Sequence, residues 1–168
     1  KPSGITFDGT NMWIWLPEEN AIGIFDLEGN QLELIDAPFE GTYALASDQC
    51  DYIFIYIREN DQIYVMTIDG REIITSFPFM HAVEAQRIYY LLWVPEHPDG
   101  QLWVSSFDTA YQLFVDTNNG DNRRDWNVEF VQSFDWEADQ IAAGIGHDGE
   151  NFWHGYNGSP IWYVRDDG

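Results

Sequence analysis

The chain has 168 residues, of which 45% are hydrophobic and 17% aromatic, and its 29 Asp and Glu against 7 Lys and Arg give a formal net charge of -22. A chain of this length can bury a sizeable core, and its aromatic content favours strands and excludes a disordered chain. Repulsion between carboxylates and phosphates argues against a nucleic-acid partner or an anionic membrane surface. We expect one β-rich domain over residues 1–168, whose acidic surface either attracts cations or keeps the protein soluble.

The first repeat, residues 4–39, contains four short apolar runs separated by turn-forming residues. The runs are ITF, MWIWL, IGIF and LELI, and the turns contain Asp8-Gly9, residues 18–20 and residues 28–30. Runs of this length bounded by Asp, Gly and Asn are typical of antiparallel strands joined by hairpins. The pattern predicts four strands and no helix.

Three looser copies follow at residues 44–79, 88–134 and 141–168. An Asp-led turn after the first strand recurs in each copy, and a Gly turn precedes the last strand. The later strands are predicted at residues 51–57, 62–67 and 72–76, then at 88–94, 102–105, 111–115 and 128–133, and finally at 161–164. Two loops of the third copy, residues 95–100 and 116–126, are longer than their counterparts, and loops of this kind often bind ligands.

The closest internal match joins the first and fourth copies. Residues 4–13 read GITFDGTNMW and residues 144–153 read GIGHDGENFW, so six of ten positions coincide without a gap. Asp-Gly predicts a tight hairpin turn, and Trp13 and Trp153 are predicted to open the next strand with a large buried face.

The fourth copy ends after its third strand, so its outer strand is absent from the sequence. Residues 1–3 are too few to supply that strand from the amino terminus. Since an unpaired sheet edge readily pairs with another chain, we expect a protein partner, a second copy or sequence outside these 168 residues to cover it.

These repeats resemble the blades of β-propellers, and Gly-Ile-x-x-Asp-Gly-x-x-x-Trp followed by Ile-x-x-Phe-Asp-x-x-Gly is similar to NHL-type and related six-bladed propeller repeats. The resemblance implies an all-β propeller of four-stranded blades and, for most such proteins, ligand or protein binding. A minority of these families are lyases or lactone hydrolases with a metal in the central channel. Four copies are compatible with a closed ring, with half of a paired assembly, or with part of a longer propeller.

The polar loop from Asp116 to Asp125 resembles the calcium loops of integrin-type propellers and dockerins, Asp-x-Asn-Gly-Asp-Gly-x-x-Asp. The resemblance implies Asn119, Asp121 and Asp125 as oxygen ligands of a bound Ca²⁺. The alternative is a long polar hairpin loop without a metal, because Asn, Asp and Gly are turn formers in any case.

The tryptophans allow two interpretations. Those within strands are expected to fill the space between blades. Trp93, Trp126 and Trp136 lie outside the best strand positions, and we predict that they present their rings on a surface for a sugar or a protein partner.

The remaining candidates for chemistry are scattered. The four histidines, His81, His97, His147 and His154, form no metal-binding spacing, although His147 and His154 flank the fourth hairpin. No nucleophile elbow or phosphate loop occurs, so no catalytic residue is assigned. Cys50 is the single cysteine, and its place in an apolar stretch predicts a buried, inert thiol.

The sequence therefore favours a non-catalytic propeller module that mediates protein–protein contact in an extracellular or periplasmic assembly. A metal-dependent hydrolase or lyase and a carbohydrate-binding propeller are the alternatives. No apolar run approaches the ~20 residues of a membrane helix, and the amino terminus carries no apolar signal stretch, so an exported protein would be present here in its mature form.

Overall fold

The computed structural model describes residues 3–41, 43–79, 88–106, 109–116, 126–136, 142–156 and 162–165, and within these ranges its regular structure is entirely β. The strands are β1 (Ser3–Phe7), β2 (Met12–Leu16), β3 (Ala21–Phe25), β4 (Gln31–Asp36), β5 (Tyr43–Ser47), β6 (Tyr52–Ile57), β7 (Gln62–Thr67), β8 (Ile73–Pro78), β9 (Tyr90–Trp93), β10 (Leu102–Ser105), β11 (Thr109–Asp116), β12 (Asn127–Asp135), β13 (Ala142–His147), β14 (Asn151–Tyr156) and β15 (Trp162–Arg165). In the described residues, no helix is long and apolar enough to cross a membrane.

The strands form four antiparallel sheets in which every strand pairs with its neighbour in sequence. We call them blade 1 (β1–β4), blade 2 (β5–β8), blade 3 (β9–β12) and blade 4 (β13–β15). Three blades have four strands, and blade 4 has three in the part of the chain that the structure describes. This arrangement confirms the predicted fold class, an all-β series of propeller-type blades, and β15 is the last strand that the structure describes in blade 4.

Local sequence explains the hairpins. Gly9 and Gly149 each follow the leading Asp of a turn and adopt φ angles of 95° and 98°, a region that glycine enters without steric cost. At the outer edge of blade 2, Pro78 ends β8, where the missing N–H of proline leaves no ladder hydrogen bond unmade.

The chain divides into two compact units, the first containing blades 1 and 2 and the second containing blades 3 and 4. In the first unit, β1 lies beside β5, so the first strands of consecutive blades are neighbours. The core between these blades is built from the side chains of both sheets, namely Trp13, Trp15, Ile22, Ile24, Leu45, Ile53, Ile55, Ile57 and Met66.

The second unit repeats this plan with a more aromatic core. Strand β9 lies beside β13, and Trp103, Trp136 and Phe152 pack together between blades 3 and 4 with Val94 and Ala110. Each unit is therefore held together by one interface between two blades.

Candidate interaction surface

The turn between β1 and β2 is organised by a single carboxylate. Asp8 Oδ1 accepts hydrogen bonds from the backbone N–H groups of Thr10 at 2.8 Å and Asn11 at 2.7 Å. Its second oxygen, Oδ2, accepts the indole N–H of Trp13 at 2.6 Å. Asp side chains commonly cap their own turn in this way, and here the same side chain also fixes the orientation of the tryptophan ring.

The equivalent turn of blade 4 has the same construction. Asp148 Oδ1 accepts the N–H groups of Glu150 at 3.0 Å and Asn151 at 2.8 Å, and Oδ2 accepts the indole N–H of Trp153 at 2.6 Å. We call this arrangement the Asp–Trp anchor. The repeated sequence therefore encodes a repeated hydrogen-bond geometry.

These hydrogen bonds hold the pKa of the Asp148 carboxyl below its ordinary value of 3.8. The backbone N–H of Glu150 contributes most to the lowering, followed by the indole of Trp153 and the N–H of Asn151. All three donors favour the ionised form. The anchor is consequently intact at neutral pH, and its contribution is lost only as the pH falls through that lowered pKa.

Blade 3 contains a third version of the anchor that sequence reasoning missed. The indole N–H of Trp103 donates to Nδ1 of His97 at 2.8 Å. The acceptor is a histidine six residues before the tryptophan, whereas the first and fourth copies use an aspartate five residues before it. A search for any acceptor in the turn before a second-strand Trp would have found it.

Blade 2 has a longer turn at the corresponding place. The Asp48 N–H donates to the carbonyl of Tyr52, whereas the Asp8 N–H donates to the carbonyl of Asn11. The additional residue shifts the second strand by one position, so that Phe54, and not Ile53, occupies the place of Trp13.

Within each unit, the two blades pack on each other through opposite faces. We call the face that carries Trp13 in blade 1, and the equivalent face of every blade, the downstream face, and we call the opposite face the upstream face. In blade 1 the downstream face carries Trp13 and Trp15, which pack on the aliphatic row of Ile53, Ile55 and Ile57 from blade 2. This aromatic-on-aliphatic contact is the inter-blade joint of the first unit.

The joint buries Trp13 completely, with an exposed fraction of 0%. The guanidinium of Arg71, in blade 2, lies 4.7 Å from the centre of the Trp13 ring. A second contact of Arg71 is an ion pair with Glu33 of blade 1 at 3.1 Å. Trp103 is buried in the same way in the second unit, where the Phe152 ring lies 4.6 Å from it.

Trp153 has the same anchor, but the burial predicted for it is wrong. Its side chain is 41% exposed, on the face opposite to Phe152, so it lies on the downstream face of blade 4. Gly144, Gly146 and Gly155 share this face through the register of β13 and β14. A Cβ added to any of these three glycines would meet no atom within 4 Å, so the indole lies beside a flat stretch of backbone with open space above it.

The upstream face of blade 1 is also uncovered. Ile5 is 58% exposed, whereas Leu45, its equivalent in blade 2, is 2% exposed. The equivalence follows from the register, because Ile5 pairs with Ile14 as Leu45 pairs with Ile55. The upstream row of blade 1 continues through Met12, Ile14 and Leu16, all half-buried.

The predicted surface tryptophans differ in their placement. The exposure predicted for Trp136 is wrong, because its ring is only 5% exposed, stacks on His154 at 4.2 Å and donates its N–H to Ser105 Oγ at 3.2 Å. Trp93 and Trp126 are half-buried. Sugar or protein binding by these residues stays a prediction.

The candidate calcium ligands Asn119, Asp121 and Asp125 lie outside the described residues, and the calcium site stays a prediction. In the described ranges, no group of three His, Cys, Asp or Glu side chains is placed to hold a metal ion. His97 and His147 do come together, with ring centres 5.0 Å apart.

His154 and Cys50 have environments that the sequence did not reveal. Burial lowers the pKa of His154, whose imidazole packs on Trp136. The prediction of a buried Cys50 is wrong, because the thiol is exposed in the longer turn of blade 2. There the carboxylate of Asp51, with its Oδ2 3.6 Å from the sulfur, raises the pKa of the thiol.

The chain has a β-propeller fold, and solved propellers match it over nearly its whole length. Hydrazine synthase from Kuenenia stuttgartiensis aligns with a TM-score of 0.60 and 14% identity, covering 98% of this chain and 46% of that one. Virginiamycin B lyase from Staphylococcus aureus gives 0.58 and 19%, covering 92% and 48%. The β-propeller domain of Cps50 (Swd1) from Myceliophteria thermophila gives 0.55 and 11%, covering 99% and 52%.

At these identities the likeness shows the fold alone. The chain spans about half the length of the three structures, between 46% and 52%. No protein-family model matches the sequence, and no curated protein matches it.

Proposed function

We propose that the chain is a non-catalytic β-propeller module that binds other protein surfaces, in an extracellular or periplasmic assembly. The observation that carries the proposal is the exposure of Trp153. Its indole is fixed by the same hydrogen bond as the buried Trp13, and a large aromatic ring held in one orientation on an open apolar face is typical of the central residue of a protein interface.

Two further features support protein binding. The upstream face of blade 1 exposes Ile5 next to the half-buried Met12, Ile14 and Leu16, and contiguous apolar patches on soluble proteins commonly mark interaction sites. In addition, β15 is the last strand of its sheet within the described residues, and an extended segment of a partner that pairs with this sheet would bind by the common strand-addition mode.

Site-specific photocrosslinking tests this proposal. Trp153 is replaced by the photoreactive p-benzoylphenylalanine, and the protein is irradiated in the cells that produce it. We expect adducts with a polypeptide from position 153. Leu27, which is 70% exposed in the turn between β3 and β4, is the matched control position and should give none. Absence of a polypeptide adduct at position 153, or equal labelling from both positions, would contradict the proposal.

Carbohydrate binding is the second candidate function, because an indole beside a floor of three glycines offers a flat surface for a sugar ring. This function predicts that glycans quench or shift the fluorescence of the protein, and that Trp153→Ala abolishes the change. If no glycan in an array gives a response that is lost in Trp153→Ala, carbohydrate binding is excluded as a function of this surface.

A further inference from the structure

We infer that the joint between blades 3 and 4 is sensitive to mild acid, because two of its histidines can keep their hydrogen bonds only while they are neutral. The two residues are His97, in the turn between β9 and β10, and His147, the last residue of β13. The inference goes beyond the proposed function and does not depend on it.

The two histidines meet at the joint, and each comes from a different blade. Their ring centres are 5.0 Å apart. Both rings contact Phe152, at 5.8 Å for His97 and 4.8 Å for His147, and His97 also lies 5.6 Å from Trp103. Since Trp103 and Phe152 belong to the buried cluster between the two blades, the histidines border that cluster.

The hydrogen bonds of both rings define their protonation state. Nδ1 of His97 accepts the indole N–H of Trp103 at 2.8 Å, and Nδ1 of His147 accepts the backbone N–H of Gly149 at 3.1 Å. An indole nitrogen and a backbone nitrogen can only donate. Each Nδ1 therefore carries a lone pair, and each imidazole is neutral with its proton on Nε2.

A proton added to either ring abolishes the hydrogen bond of that ring. The proton can enter only at Nδ1, which is the accepting atom, so two N–H groups would then face each other. Protonation of both rings would also place two positive charges 5.0 Å apart, where they repel. Attraction of an imidazolium to neighbouring aromatic rings restores neither hydrogen bond.

The charged residues of the two blades lie at the borders of the joint. Strands β9, β10, β13 and β14 contain no Asp, Glu, Lys or Arg. The two turns that hold the histidines carry four exposed carboxylates, and water screens their attraction for an imidazolium. These are Glu96, Asp99, Asp148 and Glu150. Strands β11 and β12 add Asp116, Glu129 and Asp135, none of them buried, and β15 ends at Arg165.

His154 is the third histidine of the joint and acts in the same direction. Its side chain is 1% exposed and stacks on Trp136, and burial lowers its pKa from 6.5. Acid therefore has to place a charge in the buried part of the joint as well as at its border. The contribution of all three neutral rings is present above the usual titration range of histidine and is lost as the pH falls through and below that range.

The first unit provides an internal control. Residues 1–79 contain no histidine, and the indole of Trp13 at the joint between blades 1 and 2 donates to the carboxylate of Asp8. Carboxylates ordinarily stay ionised down to about pH 4. The joint of the first unit should therefore be unaffected over the pH range in which imidazoles take up protons.

The indole N–H resonances of the full chain test the protonation step. In ¹H–¹⁵N spectra recorded from pH 7.5 to pH 5.0, we expect the Trp103 signal to shift or broaden, because its acceptor is the titrating Nδ1 of His97. The Trp13 signal should stay in place, because its acceptor is a carboxylate. A Trp103 signal that does not respond, or an equal response of both signals, overturns the inference.

Amide hydrogen exchange of the full chain measures whether the joint opens. After correction for the intrinsic pH dependence of exchange, protection of β10 and β14 should fall by about 10-fold or more between pH 7.5 and pH 5.0, the effect expected for two lost hydrogen bonds. Protection of β2 and β6, in the first unit, should change by less than about 2-fold. No fall in β10 and β14, or an equal fall in both units, overturns the inference.

The double variant His97→Asn, His147→Asn assigns the effect to this pair. The carbonyl oxygen of Asn can accept the same N–H groups but takes up no proton. The acid-induced fall in protection of β10 and β14 should therefore shrink to less than about 3-fold, the remainder belonging to His154. An undiminished fall overturns the assignment. If the double variant does not fold, the Trp103 titration of the wild-type chain decides the inference.

Discussion

The hairpins of blades 1 and 4 have nearly the same sequence and the same anchor, yet Trp13 is fully buried and Trp153 is 41% exposed. Both indoles donate to the carboxylate of the leading Asp at 2.6 Å. The hydrogen bond is therefore set by ten residues of local sequence, whereas burial is set by whichever sheet packs on the downstream face. The orientation of the ring and its burial thus have separate causes.

The largest difference between the two tryptophans should appear on truncation. Trp13→Ala removes a buried aromatic side chain from the joint and should lower the free energy of unfolding by about 3–5 kcal/mol. Trp153→Ala removes a partly exposed ring and should cost less than about 1 kcal/mol. Urea unfolding of the two variants measures both losses of stability, and equal losses would contradict the comparison.

The anchors themselves should also differ in strength. Asp8→Ala leaves the buried indole N–H of Trp13 without its acceptor and should cost about 2 kcal/mol. The same change at Asp148 should cost less, because the exposed indole of Trp153 can donate to water. Chemical denaturation of the two variants measures the difference. A larger loss of stability for Asp148→Ala than for Asp8→Ala would contradict this expectation.

The upstream face of blade 4 should introduce a pH dependence that blade 1 lacks. His154 occupies the position of Ile14, and burial lowers its pKa from 6.5. Because the unfolded chain then binds the proton more readily, stability should be lost as the pH falls from 6.5 to the lowered value. His154→Phe keeps a ring against Trp136 and should remove this part of the pH dependence, measured as melting temperature between pH 7.5 and 5. An unchanged profile would show that His154 is not its source.

The smallest expected effect concerns the cation over Trp13. Arg71 lies over the ring and pairs with the partly exposed Glu33, and contacts of this kind contribute about 0.5–1 kcal/mol. Arg71→Met keeps most of the aliphatic stem and should cost no more than that amount, with a smaller loss at high salt. A cost above about 2 kcal/mol would show that Arg71 has a structural role beyond these contacts.

Sequence alone predicted the blades because hairpins are encoded locally. Alternating apolar runs and Asp-Gly turns located all four strands of blade 1 to within two residues, and β7 and β10 have the predicted bounds. Trp13, Trp15 and Trp103 fill the space between blades as predicted, whereas the burial predicted for Trp153 is wrong, because its side chain is exposed.

The errors have physical causes. One additional residue in the turn before β6 reverses which side chains point to which face, because the strand period is two. That residue places Phe54 at the position of Trp13 and leaves Cys50 in the turn. The burial of Trp136 depends on Ser105, 31 residues earlier, and on His154 of the next blade, contacts that no local pattern contains.

The environment of Cys50 has a practical consequence. The neighbouring carboxylate of Asp51 raises the pKa of the exposed thiol, so the reactive thiolate is scarce at neutral pH and adventitious oxidation is slow, whereas labelling through the thiolate needs distinctly alkaline conditions. A single fluorophore can therefore be attached at one known turn of an otherwise cysteine-free chain. Donor and acceptor dyes on separate preparations would then report by energy transfer whether, and how fast, two chains exchange partners.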